Sequence, residues 1–360
     1  MDRFFRYCHF LKSSNFGFSL PSGAIANYLK FKLGTLPDIL PSGYSFPILD
    51  ICATRRCNLS CSFCTLGGFP KDWQKFELTP QKFENILAMD MFKKSIFVVL
   101  EGGEPLLNKD LPELVAMARA KKHLVGLITN GLLLGERAKD LQRAGVCDMQ
   151  VSVYDNTYDK LTKILPSVSH LFPMNASYVL LKSKLEQSAN NNFSEIIDII
   201  KMCKDAGCAS LKFNIVVSTY STRDFSEIIT DTSAAMYSDM ISVCKNNLKG
   251  VSFSGYNSKG GLPTKQFTVF FPAPTLLEAP TKRACRVPWM LLNMDANGNF
   301  VPCCVLRENY GMHGNVLEDV DSLNADKLVR IRRSLMNSTL PLEPECVGCV
   351  KLIDEYMSTI

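Results

Sequence analysis

The sequence predicts an α/β protein: a parallel sheet with crossover helices, as an open or incomplete barrel, followed by a small cysteine-rich unit. Between residues 47 and 250, short apolar runs rich in strand formers alternate with segments of helical period. The alternation repeats about six times at spacings typical of βα units. The unusual loops follow the expected strands, and parallel folds place their chemistry at that end of each strand. The alternation stops after residue 250, and a second group of cysteines lies beyond it.

The individual elements follow from these patterns in order along the chain. Strands are expected at residues 47–54, 95–103, 124–131, 148–155, 175–182 and 210–217. Helices are expected at residues 79–92, 109–122, 135–145, 193–207 and 232–247. Gly145 is expected to close its helix, and Ser22 to cap a short helix that runs to Leu33.

The chain is expected to divide into four segments. They are an N-terminal segment (1–46), the barrel (47–250), a linker rich in Gly and Pro (251–283) and the cysteine-rich unit (284–360). In the last segment, "DANG" at residues 295–298 predicts a hairpin turn between two strands.

Composition and charge argue against several classes of protein. The chain has 360 residues, with 40 Lys and Arg against 35 Asp and Glu and a net charge of +5. A surplus this small does not indicate a nucleic-acid binder. No apolar run reaches the ~18 residues of a membrane span, and the first residues lack the apolar stretch of a signal peptide. We therefore expect a cytoplasmic protein with no nucleic-acid or membrane partner, whose 14 cysteines are mostly reduced.

The stretch "CNLSCSFC" at residues 57–64 places Cys57, Cys61 and Cys64 in the spacing C-x3-C-x2-C. Three thiolates in one short loop suit an iron–sulfur cluster or zinc better than a disulfide or core packing. A closed zinc site would need a fourth ligand, and the nearest candidate, Cys52, lies in an expected strand. Three cysteines on an iron–sulfur cluster would leave one iron open to a small molecule.

Together with "EGGEP" at residues 101–105, the cysteine run resembles the signature of the radical S-adenosylmethionine (SAM) superfamily. That signature has an aromatic residue before the last cysteine, here Phe63, and a Gly-Gly-Glu-Pro turn after the second strand. Both motifs match without departure. The resemblance covers residues 47–250 and implies a partial (βα)6 TIM-like barrel.

The resemblance also implies cofactors and the residues that bind them. Cys57, Cys61 and Cys64 would hold a 4Fe–4S cluster whose open iron chelates SAM. The residues implied to contact SAM are Phe63 near the adenine, Gly102, Gly103, Glu104 and Pro105 at the methionine amino group, and Asn130 and Ser152 nearby. An external donor such as flavodoxin or ferredoxin would supply an electron. SAM would then yield a 5′-deoxyadenosyl radical that abstracts hydrogen from the substrate.

The second group of cysteines lies near the end of the chain. A hairpin cysteine with a distant C-x2-C pair is typical of a four-thiolate site, and both iron–sulfur and zinc are open for it. The tail resembles the SPASM/twitch extension of radical SAM enzymes, which implies one auxiliary 4Fe–4S cluster. The implied ligands are Cys285, Cys303, Cys346 and Cys349. The further cysteine run of the full SPASM pattern does not follow Cys349, so a second auxiliary cluster is not expected.

Cys304 is the spare thiol beside an implied ligand. Successive residues of a strand point to opposite faces, so Cys304 is expected to pack away from the cluster. The alternatives are an exchange with Cys303 as ligand, and a catalytic role as hydrogen-atom donor to a substrate radical. The scattered cysteines are expected in the core: Cys8, Cys147, Cys203, Cys208 and Cys244. The four histidines are expected at the surface or in loops: His9, His123, His170 and His313.

The leading functional prediction is a radical SAM oxidoreductase or epimerase acting on a small molecule such as a sugar, an aminoglycoside-like intermediate or a nucleoside. The reaction would be epimerisation, oxidation or bond formation. Modification of a peptide or protein side chain is the alternative. It is the less favoured one, because residues 1–46 are too few for the winged-helix module that grips leader peptides. A non-catalytic iron–sulfur electron carrier or a zinc-binding protein is the alternative of another class.

Overall fold

The computed structural model describes residues 20–34, 36–64, 76–215, 227, 229, 233–255, 266–271, 285–303, 313–337 and 339–346. The strands are β1 (Ile48–Thr54), β2 (Phe97–Gly102), β3 (Leu124–Thr129), β4 (Asp148–Val153), β5 (Met174–Leu180), β6 (Ser210–Ile215), β7 (Ser252–Gly255), β8 (Thr268–Phe271), β9 (Leu291–Met294) and β10 (Phe300–Val301). The helices are α1 (Ala24–Leu33), α2 (Pro80–Leu87), α3 (Leu111–Ala120), α4 (Leu134–Ala144), α5 (Tyr158–Val168), α6 (Lys182–Ala189), α7 (Ser194–Asp205), α8 (Ala234–Asn247), α9 (Val287–Met290) and α10 (Asp326–Met336).

Within the described ranges, the strands form one sheet in the order β10-β9-β1-β2-β3-β4-β5-β6-β8-β7. Every neighbouring pair is parallel except the β9–β10 hairpin. The sheet is open, because no described strand joins β10 to β7. The predicted α/β class and partial barrel are confirmed.

Local signals explain where the helices begin and end. The Thr79 side chain accepts a hydrogen bond from the Lys82 N–H at the start of α2, and Pro80 occupies the first helical position. Gly145 ends α4 as predicted, with a φ of +101° that favours glycine. Within the barrel, two helices were not predicted, α5 and α6. Pro166 lies inside α5 and breaks the pattern by which a helix is recognised.

The two faces of the sheet differ in chemistry. Alternate side chains such as Ile51, Leu100 and Val151 are fully buried in the main hydrophobic core with the helices. The opposite face, called the inner face below, carries many polar side chains at the positions between them, beside apolar ones such as Phe97, Val99 and Val179. The polar ones are Asp50 on β1, Glu101 on β2, Asp148, Gln150 and Ser152 on β4, Asn175 and Ser177 on β5, Ser210, Lys212 and Asn214 on β6, and Asn293 on β9. A polar inner face suits a site open to ligands rather than a packed core.

The cysteine-rich tail joins the barrel sheet. Strand β9 pairs in parallel with β1, from Ile48 opposite Leu291 to Ile51 opposite Met294. The predicted hairpin turn at residues 295–298 is confirmed, with Gly298 at a φ of +89°. Strand β1 therefore lies between β2 of the barrel and β9 of the tail.

Two expectations need correction. Residues 251–283 were expected to be a linker, but β7 and β8 lie there and extend the sheet. Gly23, not Ser22, precedes α1, and no side chain caps that helix. His123 lies in a loop as expected, although it is buried there with its Nδ1 2.8 Å from the Ser95 carbonyl oxygen. A residue in the loop before β3 is covered there by the neighbouring strand and helix.

The scattered cysteines fit the prediction where they are described. Cys147, Cys203, Cys208 and Cys244 are all buried, and Cys8 lies outside the described residues. No helix in the described ranges combines the length and the apolar character that crossing a membrane requires.

Candidate functional site

The cysteine loop follows β1 directly. Cys57 is exposed, whereas Cys61 and Cys64 are half-buried. The Cys64 N–H donates to the Cys61 carbonyl oxygen at 3.1 Å, and the Leu59 N–H lies 3.4 Å from the Cys57 Sγ. These two bonds turn the short loop back on itself, so that its three thiols remain at one end of the sheet.

The thiols of this loop influence one another. Burial, together with the nearby Cys64 and Cys57 thiols, raises the pKa of Cys61 to about 11. The pKa of Cys57 is also raised, first by burial. The thiols of Cys57 and Cys61 therefore resist ionisation on their own, and a cationic iron centre would stabilise them as thiolates.

The donor set of the loop fits a cluster better than a single ion. Among the described residues, no three His, Cys, Asp or Glu side chains form a set that could enclose one metal ion. A cuboidal cluster offers its irons at separate corners, so its thiolate ligands stand farther apart than those of one ion. Cys57, Cys61 and Cys64 lie in one short, partly exposed loop, where each thiolate could bind a separate iron of such a cluster.

Two glycines at the end of β2 allow its backbone to pack closely against the start of the cysteine loop. A Cβ on Gly102 would lie 2.3 Å from the Thr54 carbonyl oxygen, and one on Gly103 would lie 2.3 Å from the Arg56 carbonyl oxygen. The Gly103 N–H donates to the Thr54 carbonyl oxygen at 2.8 Å. The glycines were expected to admit a ligand close to the backbone, and here they admit the backbone of the cysteine loop itself.

The Glu104 carboxylate is fully buried and accepts three hydrogen bonds. Its Oε1 accepts from the Thr129 hydroxyl at 2.6 Å and from the Leu106 N–H at 3.0 Å, and its Oε2 accepts from the Asn130 N–H at 2.7 Å. Burial raises the pKa of Glu104 and these bonds oppose the rise. This carboxylate therefore joins the ends of β2 and β3. Pro105 starts a 3-10 turn and is buried as well.

A further contact connects the end of β3 to the cysteine loop. The Asn130 side-chain amide donates to the Asn58 side-chain oxygen at 2.8 Å. Asn58 lies next to Cys57 in the sequence. Asn130 thus contacts the loop that it was expected to adjoin, whereas the role of Asn58 was not predicted, because nothing in a loop asparagine signals its partner.

An aromatic pair joins the cysteine loop to β4. The rings of Phe63 and Tyr154 have centroids 5.5 Å apart and are tilted by 52°. Tyr154 follows β4, and its hydroxyl lies near the side chain of Ser152. Sequence reasoning named Phe63 and Ser152 but missed Tyr154, although an aromatic residue just beyond a strand end was a usable signal.

The tail contributes three described cysteines. Cys285, Cys303 and Cys346 are half-buried and pack against the hydrophobic core. Cys303 comes two residues after β10. Cys349, the fourth implied ligand, and Cys304, the implied spare thiol, both lie outside the described residues. The auxiliary ligand set therefore stays a prediction.

A loop of three cysteines at the carboxyl end of β1, beside a polar inner face, defines an iron–sulfur enzyme with a partial barrel. The radical SAM superfamily matches this chain over residues 51–231, just over half of its length. The protein belongs to the radical SAM superfamily, and a 4Fe–4S cluster and SAM are its cofactors.

Relatives with known names span several reactions. Over 196 residues the chain is 30% identical to GTP 3',8-cyclase of Aquifex aeolicus, covering 51% of this chain and 61% of that one. Over 103 residues it is 38% identical to PqqA peptide cyclase of Streptomyces rochei, covering 28% of each. In each case the match spans less than two thirds of the relative.

Solved structures support the fold. Streptococcus suis SuiB bound to its precursor peptide SuiA superposes with a TM-score of 0.59 at 15% identity. The superposition covers 91% of this chain and 73% of SuiB. At this identity the likeness shows a shared fold only.

Proposed function

We propose that this protein cleaves SAM at a cluster held by Cys57, Cys61 and Cys64 and modifies a peptide side chain that lies along the inner face. The observation that carries this proposal is the position of the cysteine loop, which stands at the end of a polar, partly exposed sheet face. When bound, the reduced cluster and SAM supply a 5′-deoxyadenosyl radical for hydrogen abstraction.

The residues around the loop have distinct tasks in this proposal. Phe63 and Tyr154 form an apolar wall between the loop and β4. Ser152 and Asn130 would offer polar contacts to SAM beside that wall. The Glu104 carboxylate already accepts hydrogen bonds from the Thr129 hydroxyl and the Asn130 N–H. Glu104 would therefore support the site by holding the ends of β2 and β3 together.

The chemistry of the inner face favours a peptide over a nucleotide. Its described residues include three carboxylates, on Asp50, Glu101 and Asp148, and one ammonium group, on Lys212. This balance repels a triphosphate. The other polar side chains of this face are amides and hydroxyls, which suit the N–H and C=O groups of a peptide. The names of PqqA peptide cyclase and of the SuiB complex with the precursor peptide SuiA also support a peptide substrate.

A nucleotide substrate is the second candidate, and the relatives named GTP 3',8-cyclase favour it. In that case the Lys212 ammonium group on the inner face would be the candidate to bind a phosphate group of the nucleotide. The sugar-like substrate expected from the sequence has no support from the names of these relatives. The proposal extends to the type of reaction, which would be an oxidation, an epimerisation or a cyclisation.

In the tail, we propose one auxiliary 4Fe–4S cluster on Cys285, Cys303, Cys346 and Cys349. The half-burial of the three described cysteines against the core suits a cluster shielded from water. Anaerobic reconstitution should give roughly 8 iron and 8 sulfide per chain. One equivalent of zinc with roughly 4 iron would show instead that the tail is a zinc site.

The test of function supplies reduced protein with SAM and either a mixture of short peptides or GTP. We expect 5′-deoxyadenosine and methionine in both reactions, with faster formation and a mass change in the peptides. A mass change in GTP, lost in Lys212→Gln, would establish the nucleotide reading. If no 5′-deoxyadenosine forms under any condition, the proposed function is wrong, and the protein is an electron carrier or a zinc-binding protein instead.

A further inference from the structure

A buried ion pair connects the tail to the start of the cysteine loop. The Arg55 Nη2 lies 2.7 Å from the Asp295 Oδ2, and the two side chains are only 3% and 2% exposed. The partners are 240 residues apart in the sequence. A charge buried this deeply is costly without its partner, so the pair opposes separation of the two segments.

Asp295 is held in place by its own turn. Its Oδ1 accepts hydrogen bonds from the Asn297 N–H at 2.8 Å and the Asn299 N–H at 3.1 Å. Its Oδ2 accepts a further bond from the Asn299 side-chain amide at 3.0 Å. The Lys82 ammonium group on α2 donates to the Asn297 side chain at 2.8 Å. The carboxylate that meets Arg55 is therefore fixed by both the hairpin and the barrel.

Arg55 is fixed by its backbone as well as its side chain. A Cβ on Gly103 would lie only 2.8 Å from the Arg55 carbonyl oxygen, so the backbone there is tightly enclosed. The Arg55 guanidinium also lies 5.9 Å from the centre of the Phe76 ring. Cys57 follows Arg55 by two residues, and Cys303 follows the end of β10 by two residues. The pair thus connects the segment just before Cys57 with the hairpin just before Cys303.

We propose that Arg55 and Asp295 are positioning residues that hold the cysteine loop from the tail, so that SAM binding at the loop depends on the tail hairpin. This role rests on the proposed function, because it requires a cluster on the cysteine loop. Neither side chain needs to contact SAM or the substrate. The pair acts through the backbone of residues 55–57.

The experiment uses the full-length reconstituted protein and the electron paramagnetic resonance of its reduced clusters. Only a cluster with an open iron responds to added SAM, so the response reports on the loop site even when a tail cluster is present. The variants are Asp295→Asn, Arg55→Met and the double variant, with Arg55→Lys as the conservative change. Arg333→Met is the control, because it breaks an exposed ion pair with Asp38.

We expect each single variant to weaken the SAM-responsive signal or the affinity for SAM by about tenfold or more. Thermal unfolding separates positioning from stability. The double variant contains no unmatched buried charge, so its melting temperature should recover, yet its SAM response should stay weak because the tether is absent. Arg55→Lys should restore part of the response, and Arg333→Met should leave it unchanged.

Two results would overturn this role. One is a single variant whose SAM response equals that of the unaltered protein. The other is a double variant in which melting temperature and SAM response recover together, as a purely structural pair would require. If the unaltered protein shows no SAM response, the proposed function fails, and the positioning role fails with it.

Discussion

The rim around the cysteine loop and the inner face of β4 to β6 are built in different ways. In the rim, the loop, the Gly-Gly-Glu-Pro turn and the end of β3 are joined by bonds of 2.6 to 3.0 Å to buried groups such as Glu104. On the inner face, the Ser177 hydroxyl lies 3.4 Å from the Gln150 amide and 3.5 Å from the Ser152 hydroxyl. The rim is fixed by the protein, whereas the inner face is held loosely around Ser177, although Asn175 nearby bonds to Asp148 at 3.1 Å and to Ser210 at 2.8 Å.

This difference matches two tasks. A cofactor that is the same in every turnover favours a rim whose geometry is set before binding. A substrate that must be bound and released favours side chains whose hydrogen bonds can be exchanged for ligand contacts. The rim is therefore the part of the site whose alteration should cost most, and the inner face the part whose alteration should cost least in stability.

The largest effect is expected from removing the thiols of the rim. Replacing Cys57, Cys61 and Cys64 by Ala should abolish 5′-deoxyadenosine formation, because no ligands for the SAM-binding cluster would remain. The fold should persist, since all three thiols are exposed or half-buried. Product analysis and circular dichroism measure the two effects. The matched control, Ser60→Ala with Ser62→Ala in the same loop, should retain activity, and SAM cleavage by the triple variant would refute the cluster assignment.

A second prediction concerns the close approach of the rim backbones. Gly103→Ala should destabilise the protein by at least about 2 kcal/mol, because the new Cβ would overlap backbone atoms that cannot move aside. Gly135→Ala is the control, because Gly135 lies in α4 with no atom within 4 Å of its added Cβ. It should leave stability unchanged or raise it by up to about 1 kcal/mol. Urea unfolding measures both, and equal stability of the two variants would show that the rim can relax.

The sequence indicated where the rim lies, whereas it did not single out the inner face. Cysteine spacing and the Gly-Gly-Glu-Pro turn are local patterns, so they were recognisable, and Gly102 and Gly103 are indeed at the loop. The function of those glycines was not recognisable, because the contact between Gly103 and Arg56 joins two segments that are distant in sequence. A motif indicates which residues belong to one site, but it does not indicate which of their atoms are in contact.

The strands that carry the inner face were predicted, whereas its polar side chains were not singled out. Gln150 and Asn175 lie within strands that read as apolar overall, and only the register of β4 with β5 sets them side by side. The attachment of the tail was missed for a similar reason. Asp295 reads as a turn residue, and its second task, binding Arg55, depends on a partner 240 residues away.

A third prediction uses His123, a buried group outside both regions, as a reference for acid stability. Burial lowers the pKa of His123, and the positive charges of Lys121 and Arg119 lower it further, whereas the bond to Ser95 opposes this. The unfolded chain therefore binds a proton more readily than the folded one. Stability should fall as the pH drops below the ordinary histidine range and toward the lowered pKa. Urea unfolding across this interval should show a shallower decline in His123→Gln, and an unchanged slope would contradict the assignment.

The smallest effect on stability is expected on the inner face. Ser177→Ala removes a hydroxyl whose contacts with Gln150 and Ser152 are long, at 3.4 and 3.5 Å. Bonds of that length contribute little, so unfolding free energy should change by less than about 1 kcal/mol. If this face binds the substrate, the same change should raise the KM for that substrate without affecting SAM cleavage in its absence. Thr162→Ala is a matched control, because its hydroxyl bonds to the Tyr158 carbonyl oxygen on an exposed surface of α5. A large loss of stability in Ser177→Ala would show that the inner face is as rigid as the rim. An unchanged KM would place the substrate elsewhere.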